Sequence, residues 1–245
     1  MECKISRRLR TANSIGRRGF EPLGLLRRLI LAGNALALIA APPCLAQLAQ
    51  PWELGVDGGY GWYLYPTITN ASGSAEAGMP AKGAIGVTLA ENINDHLGGE
   101  LRYLFRFGGP QLRSDGTQAN LTGHTNVITY DFLLQATHRF EIWAIRPFVS
   151  GGAGIKVFTG NGQRFPDINQ PLVNLALLRP ITQVEPAISV GSGVKLILGE
   201  HVDLRIELRT YMSPLPDELF RPIGQTRIRG WLYDVVPLAG VSYAF

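Results

Sequence analysis

The chain has 245 residues, 46% hydrophobic and 17% charged, with 23 Lys and Arg against 19 Asp and Glu. Eight of those bases and two of the acids precede Gln47, so the rest carries 15 bases and 17 acids, a net of −2, and the positive charge is no argument for nucleic acid. Both cysteines, Cys3 and Cys44, lie in the same early stretch, which excludes disulfide, thiolate-metal and cysteine-nucleophile chemistry from residues 47–245.

Residues 1–46 read as a signal peptide that is removed. Arg7, Arg8, Arg10, Arg17, Arg18, Arg27 and Arg28 form a basic n-region, and Leu29 to Ala41 is apolar. Cys44-Leu45-Ala46 then places small residues at −3 and −1 before Gln47. A membrane-anchoring helix is the alternative, but about 13 apolar residues fall short of the ~20 that span a bilayer. Ser6-Arg7-Arg8 hints at a twin-arginine export signal, which a chain that must cross unfolded would not use. Pro42-Pro43 ahead of Cys44 does not supply the small residue that lipidation requires.

From Gln47 the chain reads as a single domain of period-two strands, near 52–64, 82–92, 96–107, 125–140, 145–158, 182–198, 201–212 and 230–245. Long polar connections are expected near 65–81, 108–124, 159–181 and 213–229. Between them fall tight turns at Asn92-Ile93-Asn94-Asp95, at Glu141-Ile142-Trp143-Ala144 and at Gly199-Glu200. Alternating long and short connections around an even number of strands is the pattern of an up-and-down antiparallel transmembrane β-barrel. The prolines Pro147, Pro186 and Pro237 fall inside expected strands, where bulges or strand ends are needed to accommodate them.

One row of each strand is suited to lipid. The first carries Trp52, Leu54, Val56, Tyr60, Trp62 and Leu64; the third Leu97, Leu101, Tyr103, Phe105 and Phe107. The fourth carries Ile128, Tyr130, Phe132 and Leu134, and the seventh Val202, Leu204, Ile206, Leu208 and Met212. The last runs Trp231, Tyr233, Val235, Pro237, Ala239, Val241, Tyr243 and Phe245. No Asp, Glu, Lys or Arg interrupts the centre of these rows, as expected where a mid-bilayer charge costs about 2–4 kcal/mol. His138, near a strand end, is the one titratable exception.

The opposite rows hold eight acids (Glu53, Asp57, Glu100, Asp131, Glu185, Asp203, Glu207 and Asp234) and eight bases (Arg102, Arg106, Arg139, Arg146, Lys156, Lys195, Arg205 and Arg209). A soluble sandwich or lipocalin would show the reverse polarity. Small residues such as Ser150, Gly152 and Gly154, or Ser189, Gly191 and Gly193, leave room inside for these long side chains. The third and seventh strands stand opposite each other in a ring of eight. Counting up from their short turns sets Glu100 level with Arg205 and Arg102 level with Glu207. The expectation is a lumen plugged by ion pairs among Glu100, Arg102, Arg106, Asp203, Arg205, Glu207 and Arg209; a hydrated lumen with unspecific charges is the bland alternative.

Material for chemistry is sparse. His96, His124, His138 and His201 share no metal-ligand spacing, and only His124 falls at the outer rim. Gly151-Gly152-Ala153-Gly154 lies in a strand with no helix after it, so it is not a phosphate loop. Asp95, Asp115 and Asp167 are scattered turn acids and do not form a calcium loop. No catalytic residue, cofactor or metal is expected. Phe165-Pro166-Asp167-Ile168 and Leu215-Pro216-Asp217-Glu218-Leu219-Phe220 put apolar groups in the connections, as loop packing or as a partner site.

Arg146-Pro147-Phe148-Val149-Ser150-Gly151-Gly152-Ala153-Gly154, Val202-Asp203-Leu204-Arg205-Ile206-Glu207-Leu208-Arg209 and Gly240-Val241-Ser242-Tyr243-Ala244-Phe245 resemble strands of the bacterial outer-membrane protein β-barrel domain family, similar to the OmpA-type transmembrane domain. The resemblance spans residues 47–245 and marks architecture, not activity. It implies residence in the bacterial outer membrane as a monomer, among outer-membrane lipid and lipopolysaccharide. It also implies a terminal insertion signal, Tyr243 and Phe245, read by the barrel-assembly machinery. No periplasmic cell-wall domain follows the last strand, so tethering to the wall is not carried over. The expected role is structural or surface interaction through an extracellular ligand left unnamed. A narrow small-solute pore is the alternative, and a lipid-modifying enzyme a distant one.

Overall fold

Alternation of apolar and polar residues over more than ten positions favours strands that separate two environments. The computed structural model describes residues 52–70, 73–114, 116–136, 145–162, 171–223 and 230–245. In chain order the strands are β1 (Trp52–Leu64), β2 (Thr67–Asn70), β3 (Gly73–Gly78), β4 (Lys82–Asn92), β5 (Leu97–Phe107), β6 (Gln111–Ser114) and β7 (Thr117–Asn120). They continue with β8 (Thr122–Gln135), β9 (Ile145–Asn161), β10 (Ala176–Leu178), β11 (Thr182–Ile197), β12 (Val202–Pro214), β13 (Phe220–Pro222) and β14 (Trp231–Ala244).

The eight long strands close into a barrel in the order β1-β14-β12-β11-β9-β8-β5-β4. Every neighbouring pair is antiparallel, and β14 returns to β1 with Glu53 opposite Ala244 and Leu64 opposite Tyr233. The fold is therefore the all-β, eight-stranded up-and-down barrel that the alternation implies. Its tight turns are locally specified: Asn94 Oδ1 accepts from the His96 and Leu97 amides at 2.9 and 2.8 Å, and the Leu198 amide reaches the Val202 carbonyl at 2.9 Å. The strand expected at 125–140 begins earlier, at Thr122. Its far end with His138 and Arg139, the turn at 141–144 and Phe165–Ile168 lie outside the described residues.

The connections differ from the expectation of plain polar loops. β2, β3, β6 and β7 form a four-stranded sheet, and β10 pairs with β13. These pieces are short: Ile68 stands opposite Ala75 and Leu112 opposite Ala119 within the hairpins β2–β3 and β6–β7, and the two hairpins join through β3 and β6, where Ala77 stands opposite Leu112. Ile68, Leu112, Leu175, Leu219 and Phe220 join Tyr63, Phe158 and Leu232 of the barrel in one buried cluster over the end that carries the long connections. The apolar residues of 215–220 thus pack inward.

The prolines find three solutions. Pro147 stands two residues inside the start of β9, at the end of its pairing with β8, and its carbonyl accepts from Ala136 at 2.9 Å. Pro186 lies beyond the reach of β12, whose pairing with β11 begins at Ile188. Pro237 is different from the expected bulge or strand end. Its pairing with Leu208 is regular, while the β1 ladder skips Tyr60 and Gly61 between Gly59–Leu238 and Trp62–Val235 without any change of register. A missing N–H interrupts the ladder there and leaves its offset intact.

The polarity is inside out. Phe132 and Leu208 on the outer rows are 57% and 50% exposed, whereas Glu100 and Arg106 on the inner rows are fully buried. Aromatic side chains crowd both ends of the exterior, with Tyr60, Trp62, Trp231 and Tyr233 at the long-connection end and Trp52, Tyr243 and Phe245 at the short-turn end.

Candidate functional site

The lumen is where the inward rows converge, and its charges are arranged in layers. Lowest, near the short turns, the Lys195 ammonium meets the Glu53 carboxylate. Above them Arg102 from β5 bridges three acids. Its Nη1 lies 2.8 Å from Asp57 Oδ2, and its Nη2 lies 2.9 Å from Glu100 Oε1 and 2.6 Å from Glu207 Oε1. Arg205 from β12 contacts Glu100 and places Nη2 2.7 Å from Glu207 Oε2. Arg209, two inward positions higher, reaches Asp131 at 2.7 Å, Glu100 at 3.2 Å and Glu207 at 3.3 Å. The structure thus brings together Glu100 with Arg205 and Arg102 with Glu207, the two cross-lumen pairs given by counting from the turns.

A separate charged layer lies toward the long connections. Arg106 grips Asp234 with two bonds, Nε to Oδ2 at 3.2 Å and Nη2 to Oδ1 at 3.0 Å. The Lys156 ammonium is 3.6 Å from the same carboxylate and lies 4.9 Å over the Tyr63 ring and 5.3 Å over Phe158, cation–π distances in a dry setting. Ala84, Leu104, Val127, Tyr211, Val236 and Leu238 form a further buried apolar cluster on the inner rows. The loop cluster closes the same end.

Two features make this packing possible. The ion pairs join six acids (Glu53, Asp57, Glu100, Asp131, Glu207 and Asp234) to six bases (Arg102, Arg106, Lys156, Lys195, Arg205 and Arg209), so the paired set is neutral. Small residues give the charged side chains room: a methyl group at Gly152 would come within 2.6 Å of Asp131 Oδ1, and one at Gly191 would lie 3.4 Å from Arg209 Nε. The free space beside Asp57, Thr88 and Arg205 is about 10 Å³, room for a single water at most.

Asp203 corrects the expected set of pairs. It is half-buried at the short-turn end of β12, and no ion pair joins it among the described residues. It stands one inward position below Arg205, and Arg205 turns away from it toward Glu100 and Glu207. Asp57, Asp131, Lys156 and Asp234 enter the network although only their inward rows, and not their partners, were readable; Asp57 and Asp131 come from strands whose level against β12 depends on barrel stagger. Tyr63 and Phe158 gave no signal at all.

Tyr243 and Phe245 sit on the exterior at the short-turn rim. Phe245 closes the ring through its amide, 2.9 Å from the Trp52 carbonyl, and the Tyr243 ring stacks on His201 with centroids 5.5 Å apart. His124 stacks on Phe105 at the opposite rim, at 5.1 Å. Among the described residues no group of His, Cys, Asp and Glu is placed to hold a metal ion.

No family model and no curated protein matches the sequence. Solved structures similar to it include Neisserial surface protein A, at 12% identity over 79% of this chain and 97% of that one, with a TM-score of 0.47. Outer membrane protein OprG from Pseudomonas aeruginosa is similar at 16% identity over 80% and 97%, with a TM-score of 0.44. The N-terminal β-barrel domain of Pseudomonas aeruginosa OprF is similar at 13% identity over 79% and 97%, with a TM-score of 0.42. A likeness of this degree transfers no residue role. Closure without edges, an apolar exterior between aromatic bands and a charged interior are, on their own physical grounds, the architecture of a bacterial outer-membrane barrel.

Proposed function

We propose that this outer-membrane barrel is a closed structural or surface-interaction protein, with its lumen plugged and its ordered connections presented outside the cell. The observation that supports this reading best is the neutral network around Arg102, Glu100, Glu207 and Arg205. Buried charges with several partners each resist separation, because removing one leaves the others unpaired in a poor solvent for ions. The loop cluster over one end adds a second, apolar obstruction.

The test is single-channel conductance of the purified protein in a planar bilayer. A plugged barrel gives a silent trace at moderate voltage, and steady openings from the wild-type protein would overturn the reading. A narrow pore is the second reading. It draws support from Asp57 Oδ1, Ser150 Oγ and Tyr211 Oη, buried polar atoms without protein partners that a wet path would satisfy.

The same proposal assigns Tyr243 and Phe245 to recognition by the barrel-assembly machinery. Phe245→Ala is expected to reduce the amount of heat-shiftable barrel recovered from outer membranes while the purified variant still refolds in detergent. Equal recovery would remove the rim aromatics from that role. The protein is proposed to act as a monomer.

A further inference from the structure

The charged layer toward the long connections is electrically incomplete. It holds two bases, Arg106 and Lys156, against one acid, Asp234. Arg106 takes both carboxylate oxygens of Asp234 and turns its remaining nitrogen, Nη1, to the Lys82 carbonyl at 2.8 Å. Lys156 is left 3.6 Å from a carboxylate already engaged, beyond hydrogen-bonding distance, and its ammonium is fully buried without a hydrogen-bond partner. The ring faces of Tyr63 and Phe158 ease that burial but carry no opposite charge.

The missing counter-charge is walled off. Leu104 stands one inward position above Arg102 and one below Arg106, Val236 one below Asp234, and Tyr211 one above Arg209. All three are fully buried and belong to one cluster, a septum between the two charged layers. The layer beneath it has one acid in excess, as the upper layer has one base, and among the described residues no ion pair crosses between them. Phe158, Leu232 and the loop cluster cover the upper layer from the other side. Two hydroxyls share the level of Lys156: Tyr63 stands opposite Asp234 in the β1–β14 ladder, and Thr125 opposite Arg106 in the β5–β8 ladder. They lie near each other, both buried and both without a hydrogen-bond partner.

We propose that this layer holds one small monovalent anion of the halide class, captured as the barrel folds and bound by Lys156, Tyr63 and Thr125. An ammonium only donates, and a hydroxyl has a proton to give, so the three groups together call for an acceptor. A water would accept these bonds and leave the excess charge standing, whereas a halide accepts them and cancels it. A buried charge is tolerated only when it is paired and hydrogen-bonded, and the anion meets both demands. The inference goes beyond the closed-lumen reading and rests on it, since a wet path would hydrate Lys156 directly.

The test compares the protein refolded from urea in sodium chloride and in sodium gluconate of equal ionic strength, gluconate being too large for the layer. The ratio of folded to unfolded protein should be roughly tenfold higher in chloride, the gain when an anion stands at about ten times its dissociation constant. Lys156→Met should abolish the difference. Thr125→Val, which keeps the side-chain shape and so remains informative if Lys156→Met does not fold, should weaken it. Crystals of protein refolded in sodium bromide should show one anomalous bromine peak in contact with Lys156, Tyr63 and Thr125. Equal stability of wild type in the two salts, a chloride effect unchanged in either variant, or bromide confined to the barrel exterior would overturn the site and leave Lys156 to water. Steady conductance by the wild-type protein would instead overturn the closed-lumen reading, so the two failures are distinguishable.

Discussion

Arg205 and Glu100 meet across the lumen although 105 residues separate them in the chain. One projects from β12 and the other from β5, strands four places apart in a ring of eight. Their meeting height follows from two independent tight turns, each of which sets where its strand begins to climb.

The first prediction follows from that contact. Glu100 accepts from Arg102, Arg205 and Arg209, so Glu100→Gln leaves three guanidinium groups short of one counter-charge. A loss of about 3–5 kcal/mol is expected, typical of breaking a buried ion pair. Urea unfolding in lipid vesicles, read by the heat-dependent gel shift, measures it. In a double-mutant cycle, Glu100→Gln combined with Arg205→Gln should cost less than the sum of the two single losses, and strict additivity would mean the pair does not act as a pair.

The exterior makes a different demand. Leu208 lies mid-strand on the lipid row opposite Pro237, and Val202 lies at the short-turn rim beside Tyr243. Leu208→Arg should cost about 2–4 kcal/mol in a bilayer and Val202→Arg no more than about 1, because the cost of a charge falls toward the interface. Equal costs at the two depths would contradict a lipid-facing surface.

Close packing around the small interior residues is testable by addition. Gly152→Ala places a methyl group 2.6 Å from Asp131 Oδ1 and against the β8 backbone, which must shift. A loss of roughly 1–3 kcal/mol is expected from such overpacking. Gly73→Ala does not serve as its control, since Gly73 has φ +139° and is strained by any side chain; Gly199, with open space around it, does. Gly199→Ala should leave the heat-shift midpoint unchanged.

The loop cluster is a second barrier. Phe220 is fully buried in it, and Phe220→Ala should destabilise the cap by about 3–5 kcal/mol. Protease digestion of the intact barrel should then cut the connections while the barrel core stays protected. Conductance should remain silent, because the Arg102 and Arg209 layer lies deeper. Openings caused by Phe220→Ala alone would identify the cap as the main plug.

The sequence by itself determined the strands, their inward and outward faces and the level of Glu100 against Arg205. Period-two alternation between lipid and lumen is a local signal, and short turns convert residue number into height. Tertiary structure alone decided what depends on stagger and on distant connections. Asp57 and Asp131 join the network while Asp203 stays out, because tilt around the ring sets which inward carboxylate reaches which arginine. The sheet of β2, β3, β6 and β7 was illegible for a related reason: the short hairpins β2–β3 and β6–β7 are marginal alone and are secured where connections 65–81 and 108–124 meet over the rim.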